Sequence, residues 1–181
     1  MSGKLTLISS ATASNSASVE FTSGIDSSYD EYQIWAVDYY AHTNAQEFVM
    51  QFSTDGGSGY GISKTTTFFD AEHNEADTVA ALLYSTTYDL ADSTGILYLD
   101  RGNEGASHSD SSGCGCFKLF SPSSTTKVKH FVWEGNNHRH SNAPIHNFVA
   151  GYINTTSAVD AIKVKMASGN ITGNFYLFGV S

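Results

Sequence analysis

In the stretch Ile162-Lys163-Val164-Lys165-Met166, apolar side chains alternate strictly with lysines. A period of two sends successive side chains to opposite faces of an extended chain, so one face is buried and the other is wet. The loop from Ala167 to Asn174 supplies Ser, Gly and Asn, which tolerate the positive φ values a reversal needs. Phe175 to Val180 then returns as a second strand, and the two runs are expected to pair as a hairpin. A similar pair is expected from Phe117 to Trp133.

The same reading extends along the chain. Lys4–Ser10 opens as a strand with Leu5 and Leu7 on one face, and Ser18–Thr22 carries Val19 and Phe21 on one face. Glu31–Tyr40 places Tyr32, Ile34, Ala36 and Tyr40 on one side and Gln33, Trp35, Val37 and Tyr39 on the other. Apolar bulk on both faces fits a central strand covered on both sides, or one at a subunit contact. Gln46–Ser53 turns Phe48, Met50 and Phe52 inward, and its Thr54–Gly59 loop contains Asp-Gly-Gly, the strongest hairpin signal in the chain. Thr65–Phe69, Val79–Thr86, Ile96–Leu99 and Asn147–Asn154 complete the set. Asp70–Thr78, Asp100–Gly115 and Asn136–Pro144 read as solvated loops. About ten strands with turn signals at roughly 8–12-residue intervals predict an all-β, antiparallel sandwich, jelly-roll-like, as a single domain over residues 1–181. A parallel α/β sheet would need helical crossovers, which the pattern lacks.

Composition narrows the function classes. The 181 residues carry eighteen acids against nine Lys plus Arg, a formal net charge of −9. Such a surface repels nucleic acid, and Lys127, Lys129 and Arg139 are too sparse to offset it. No apolar segment long enough for a secretory signal or a membrane span is read, so a soluble chain without membrane insertion is expected. Cys114 and Cys116, one residue apart, are poorly placed to bridge each other.

Several clusters invite a site. His138, His140 and the nearby His146, with Cys114 and Cys116, offer zinc-type ligands, but Cys-x-Cys is not the usual knuckle and the halves lie in separate segments. Asp70, Glu72, His73, Glu75 and Asp77 could supply oxygens to Ca²⁺, yet they lack the EF-hand pattern. Asp89, Asp92 and Asp100 could supply a carboxylate pair for glycoside cleavage, though a sequence does not give the separation that mechanism needs, and no G-x-S-x-G, H-E-x-x-H or P-loop motif occurs. The expectation is a protein without catalytic residues, metal or cofactor. Aromatic and imidazole groups near strand ends, Trp133, Tyr60, Tyr84, Tyr88, His138 and His140, are the candidates for contact with a glycan or a partner, since aromatics present a flat apolar face with a polar tip.

Longer segments carry a family likeness. LFSPSSTTKVKHF (Leu119–Phe131), GYINTTSAVDAIKVKMASGNI (Gly151–Ile171) and the ending NFYLFGV resemble a module common in marine bacteriophages, cyanophages especially. ISSATASNSASVEFTSGIDSSYDEYQI (Ile8–Ile34) and FSTDGGSGYGISKTTTFF (Phe52–Phe69) are similar to the same module, so the likeness runs from about Leu5 to Val180. Such modules occur in tail-fibre-like and other virion structural proteins. The resemblance implies a non-enzymatic virion component, on the capsid as decoration or on a tail appendage, whose partners are itself and other virion proteins. A homo-oligomer is expected, trimeric if it forms a fibre tip. The alternative is a receptor-binding tip that recognises a host surface glycan for attachment.

Overall fold

Strands form wherever apolar and polar residues alternate, and the computed structural model describes residues 3–102, 110–139 and 142–181. Among these residues run thirteen strands: β1 (Leu5–Ser16), β2 (Val19–Phe21), β3 (Glu31–Ala41), β4 (Phe48–Ser53), β5 (Lys64–His73), β6 (Ala80–Tyr84), β7 (Leu90–Ser93), β8 (Leu97–Tyr98), β9 (Gly113–Phe120), β10 (Lys129–Arg139), β11 (Ala143–Ile153), β12 (Ala161–Met166) and β13 (Ile171–Val180). A large sheet of nine strands runs β1-β13-β3-β9-β10-β11-β5-β6, with β7 also on β5, and a small sheet of four runs β2-β12-β4-β8. All strand pairings are antiparallel. The chain is an antiparallel β-sandwich.

Aromatic side chains join the two layers. Phe48 of the small sheet stacks on Tyr39 at 4.4 Å and on Phe175 at 6.1 Å, and meets Trp133 at 5.7 Å. Phe52 contacts both Phe117 and Phe131 at 5.7 Å. The small sheet covers one face of the large one. Along β9, β10 and β13 alternate residues are accordingly buried, while those between them stay partly or fully exposed.

The Phe117–Trp133 pair forms as expected: Leu119 opposes Phe131 and Phe117 opposes Trp133. The closing pair does not. β12 lies in the small sheet and β13 in the large one, so Val164 and Phe175 are both buried but belong to opposite layers. The Asp-Gly-Gly segment likewise links the sheets, carrying the chain from β4 to β5. Asp55 organises that crossing by accepting hydrogen bonds from Ser53 Oγ and Gly59 N, at 2.6 and 2.8 Å. Period-two alternation describes a half-buried strand equally well beside its neighbour or across the core from it.

Other departures come from polar residues taken inside. Asp70–His73 continues β5, and Asp70 and Glu72 are buried rather than solvated. Asn136–Arg139 and Ala143–Pro144 extend β10 and β11, with Asn137 and Asn147 buried. Asp100 is buried too, and Gly113–Gly115 already belongs to β9. In β3 a register shift between Ala36 and Tyr39, where Asp38 has φ 52°, reverses the alternation and turns Tyr39 inward.

Lys64 is another buried polar group. Its Nζ donates to the carbonyls of Ile62 and Gly95, at 2.9 and 2.6 Å, and burial pulls its pKa down to about 8 from the usual 10.5. Between pH 8 and 10.5 the unfolded chain therefore binds more protons at this site than the folded one, so stability rises with pH across that window. A neutral amine still has N–H groups for both carbonyls. Chemical unfolding at pH 8 and pH 10 should show this gain in the wild type relative to the Lys64→Met variant.

Candidate functional site on the open face of the large sheet

The small sheet packs on one face of the large sheet, and among the described residues nothing covers the other. Strand register aligns one row of side chains across it: Tyr176 opposite Trp35, Trp35 opposite Cys116, Cys116 opposite Glu134, Glu134 opposite Phe148, Phe148 opposite Phe69, and Phe69 opposite Tyr84. Neighbouring positions add Phe178 and Val132. The formal charges among the outward residues of the central strands are Glu31, Asp38, Lys118 and Glu134, so this face is poor in charge for a protein of net −9.

The aromatic groups on this face are held in place. Trp35 is 41% exposed, yet its indole N–H donates to Gln33 Oε1 at 2.9 Å, and Gln33 Nε2 donates to Glu31 Oε1 at 2.8 Å. Phe178 packs edge-on against the indole at 5.9 Å. Phe69 and Phe148 stack at 4.9 Å with ring planes 11° apart, and His146 lies 4.2 Å from Phe148 while pairing with Glu134 at 3.2 Å. Beside Trp35 runs a groove of about 580 Å³ lined by Gln33, Cys116, Lys118, Glu134 and His146 among others. Fixed aromatic faces of this kind lose little side-chain entropy when a partner covers them.

Acid–base and thiol chemistry find little support on the face. Burial pushes the Cys116 thiol up to about 11, so it stays protonated at neutral pH and is a poor nucleophile. Cys114 is exposed on the same strand. Among the described residues, no three His, Cys, Asp or Glu side chains stand together as a metal site. The conspicuous ionic cluster lies at one end of the sandwich. There Arg101 donates to both oxygens of Asp70 at 3.2 Å and to Glu72 at 3.1 Å, while Arg139 reaches Glu72 at 3.4 Å. Beside it the buried Asp100 accepts from Tyr39 Oη at 3.0 Å and from the Phe48 backbone N–H at 2.7 Å. Both carboxylates of β5 are thus engaged by guanidinium groups, which ties the segment after β8 onto the large sheet.

The residues expected to contact a glycan or a partner do not converge. Trp133 is 2% exposed and fills the core, so its ring offers no face to a ligand. Tyr60 lies against the small sheet, with Lys163 Nζ 4.0 Å from its ring centroid and its hydroxyl bonded to Glu20 at 3.0 Å. Burial and the Glu20 carboxylate push that phenol up to about 12. Tyr88 packs between Phe68 and Tyr98, at 5.3 and 5.0 Å, and donates to Glu47 at 3.2 Å. His138 Nδ1 bonds the Ser111 hydroxyl, and His140 lies outside the described residues. Tyr84 alone of the group sits on the aromatic row, 56% exposed, its hydroxyl donating to Asp89 at 2.7 Å. Trp35, which the structure turns to the outer face while Tyr32, Ile34 and Ala36 are buried, is the missed member of the candidate site.

Compared with protein-family models, with curated proteins and with solved structures, the chain finds no match.

Proposed function

We propose that this chain is a non-enzymatic structural module of a bacteriophage virion, on the capsid or a tail appendage, which assembles with copies of itself through the open face of the large sheet. The carrying observation is the row from Tyr176 to Tyr84, in which Tyr176 and Trp35 on one side and Phe148, Phe69 and Tyr84 on the other flank Cys116 and Glu134, on a face with few formal charges. Clustered exposed aromatic groups, unlike scattered single ones, mark contact surfaces. In an acidic protein, a charge-poor face is also where copies approach with least repulsion. The virion setting rests on the likeness of the segments between Leu5 and Val180 to phage modules.

The groove beside Trp35 favours a second reading, recognition of a host surface glycan, because an exposed indole ringed by Gln33, Lys118 and Glu134 presents both a stacking face and hydrogen-bonding groups. Trp35→Glu tests both. Self-association measured by sedimentation should weaken about 30-fold, the loss expected for a central aromatic anchor. A wild type that stays monomeric up to roughly millimolar concentration, a range where contacts worth only about 4 kcal/mol already show, would sink the assembly reading. Retention on a glycan array, lost in Trp35→Glu, would move the assignment to the second.

A further inference from the structure

β6 has the sequence of an interior strand and the position of an edge strand. Val79-Ala80-Ala81-Leu82-Leu83-Tyr84 is an unbroken apolar run, the composition of a strand covered on both faces. Yet among the described residues β6 pairs only with β5 and ends the large sheet, with Leu82 72%, Leu83 42% and Tyr84 56% exposed. Edge strands are ordinarily protected by charge, proline or a bulge. β6 carries neither charge nor proline, and its register with β5 is unbroken.

Backbone geometry shows which groups remain free. Ser85 N–H donates to Phe68 O at 2.9 Å, and Val79 C=O accepts from Asn74 N–H at 3.1 Å, so the odd-numbered residues of this segment turn their peptide groups toward β5. Strand alternation then points the N–H and C=O of Ala80, Leu82 and Tyr84 away from the sheet. The side chains are self-complementary in the register those groups select. In an antiparallel pairing of β6 with a second β6 about a two-fold axis at Leu82, Leu82 meets Leu82, each Ala80 meets a Tyr84, and each Ala81 meets a Leu83. Apart from the Leu82 pair at the axis, small residues face large ones, and no like charges oppose each other.

We infer that β6 is a dimerisation edge, pairing antiparallel with the β6 of a second copy about a two-fold axis at Leu82, so that two large sheets join into one. In that pairing Ala80, Leu82 and Tyr84 of each copy exchange backbone hydrogen bonds with Tyr84, Leu82 and Ala80 of the other. The inference rests on the reading of the chain as self-assembling, and gives it a second contact, separate from the Trp35 face.

The test uses the full chain carrying Trp35→Glu, which weakens the face and leaves the edge intact. This variant should sediment as a dimer, and adding Leu82→Lys should weaken the dimer about 30-fold or more by burying two ammonium groups at the axis. Should Leu82→Lys fail to fold, a cross-link decides. Opposed residues in a hydrogen-bonded pair have Cα atoms about 5.5 Å apart, within the reach of a disulfide. Leu82→Cys, in a Cys114→Ser/Cys116→Ser background, should therefore oxidise to a covalent dimer. A monomeric Trp35→Glu chain, a dimer that Leu82→Lys leaves intact, or no cross-link under oxidation would each overturn β6 pairing. The first of these, with a wild type that still associates, leaves the face contact standing. A monomeric wild type removes both.

Discussion

Replacing Arg101 with methionine should lower the free energy of unfolding by about 3–5 kcal/mol at pH 7, the loss typical of removing one partner of a buried ion pair. The reason lies in what stays behind. Asp70 is fully buried on β5, and among the described residues its hydrogen-bond donor is Arg101, which grips both oxygens at 3.2 Å. Glu72 keeps Arg139 at 3.4 Å, so the loss falls mainly on Asp70. Burial already holds the Asp70 pKa above its ordinary 3.8, with Arg101 pulling it back down, and deleting the guanidinium raises it further. With the folded-state pKa above the unfolded one, the folded variant binds the extra proton between the two values. Its stability therefore falls as pH rises through that window, and the deficit is largest above it. Guanidinium unfolding at pH 4 and pH 7 should show the smaller deficit at the lower pH. Asp70→Asn added to Arg101→Met should recover part of the loss, because it removes the stranded charge. Equal deficits at both pH values would mean that Arg101 contributes by packing alone.

The contrast between fold class and site has a physical origin. Alternation in Ile162–Met166 or Phe175–Val180 is a local property, and it identified strands because each residue's burial depends on its own parity. Whether two such strands pair or face each other across the core depends on the path between them, and β12 and β13 ended in different sheets for that reason. The two tryptophans show how far parity reaches. In Phe131-Val132-Trp133-Glu134, Glu134 marks the wet face and so assigns Trp133 to the core, a signal that was present. In β3 the same logic separated Trp35 from Ile34, yet nothing local says which parity meets the small sheet. The Arg101–Asp70 pair joins segments thirty-one residues apart and leaves no periodic trace, so two acids of the stretch read as solvated, Asp70 and Glu72, are buried, while Glu75 and Asp77 are exposed. β6 was legible as a strand from its apolar run. Its place at the edge, where that run becomes informative, required the pairing.

Trp133→Ala should destabilise the fold by about 3–5 kcal/mol, the range for truncating a fully buried large aromatic. Its ring is laid over two glycines of the large sheet. A Cβ on Gly115 would stand 2.4 Å from Cη2, and one on Gly135 would stand 2.4 Å from Cζ2, so both positions are kept bare to seat the indole. The ring also meets Phe48 at 5.7 Å, which in turn stacks on Tyr39 and Phe175, so the cavity left by alanine would open where the two sheets meet. Backbone hydrogen bonds hold the glycine-bearing strands β9 and β10 in register and limit how far the site can collapse. The indole N–H makes no hydrogen bond to a described protein group. Trp133→Phe therefore loses ring area without stranding an acceptor, and it should cost less than half of what alanine does. Urea unfolding of the two variants measures the difference. Self-association of the folded Trp133→Phe protein should match the wild type, since this side chain lies beneath the open face and not on it. A Trp133→Phe variant that folds normally but fails to assemble would place the contact on the wrong side of the sheet.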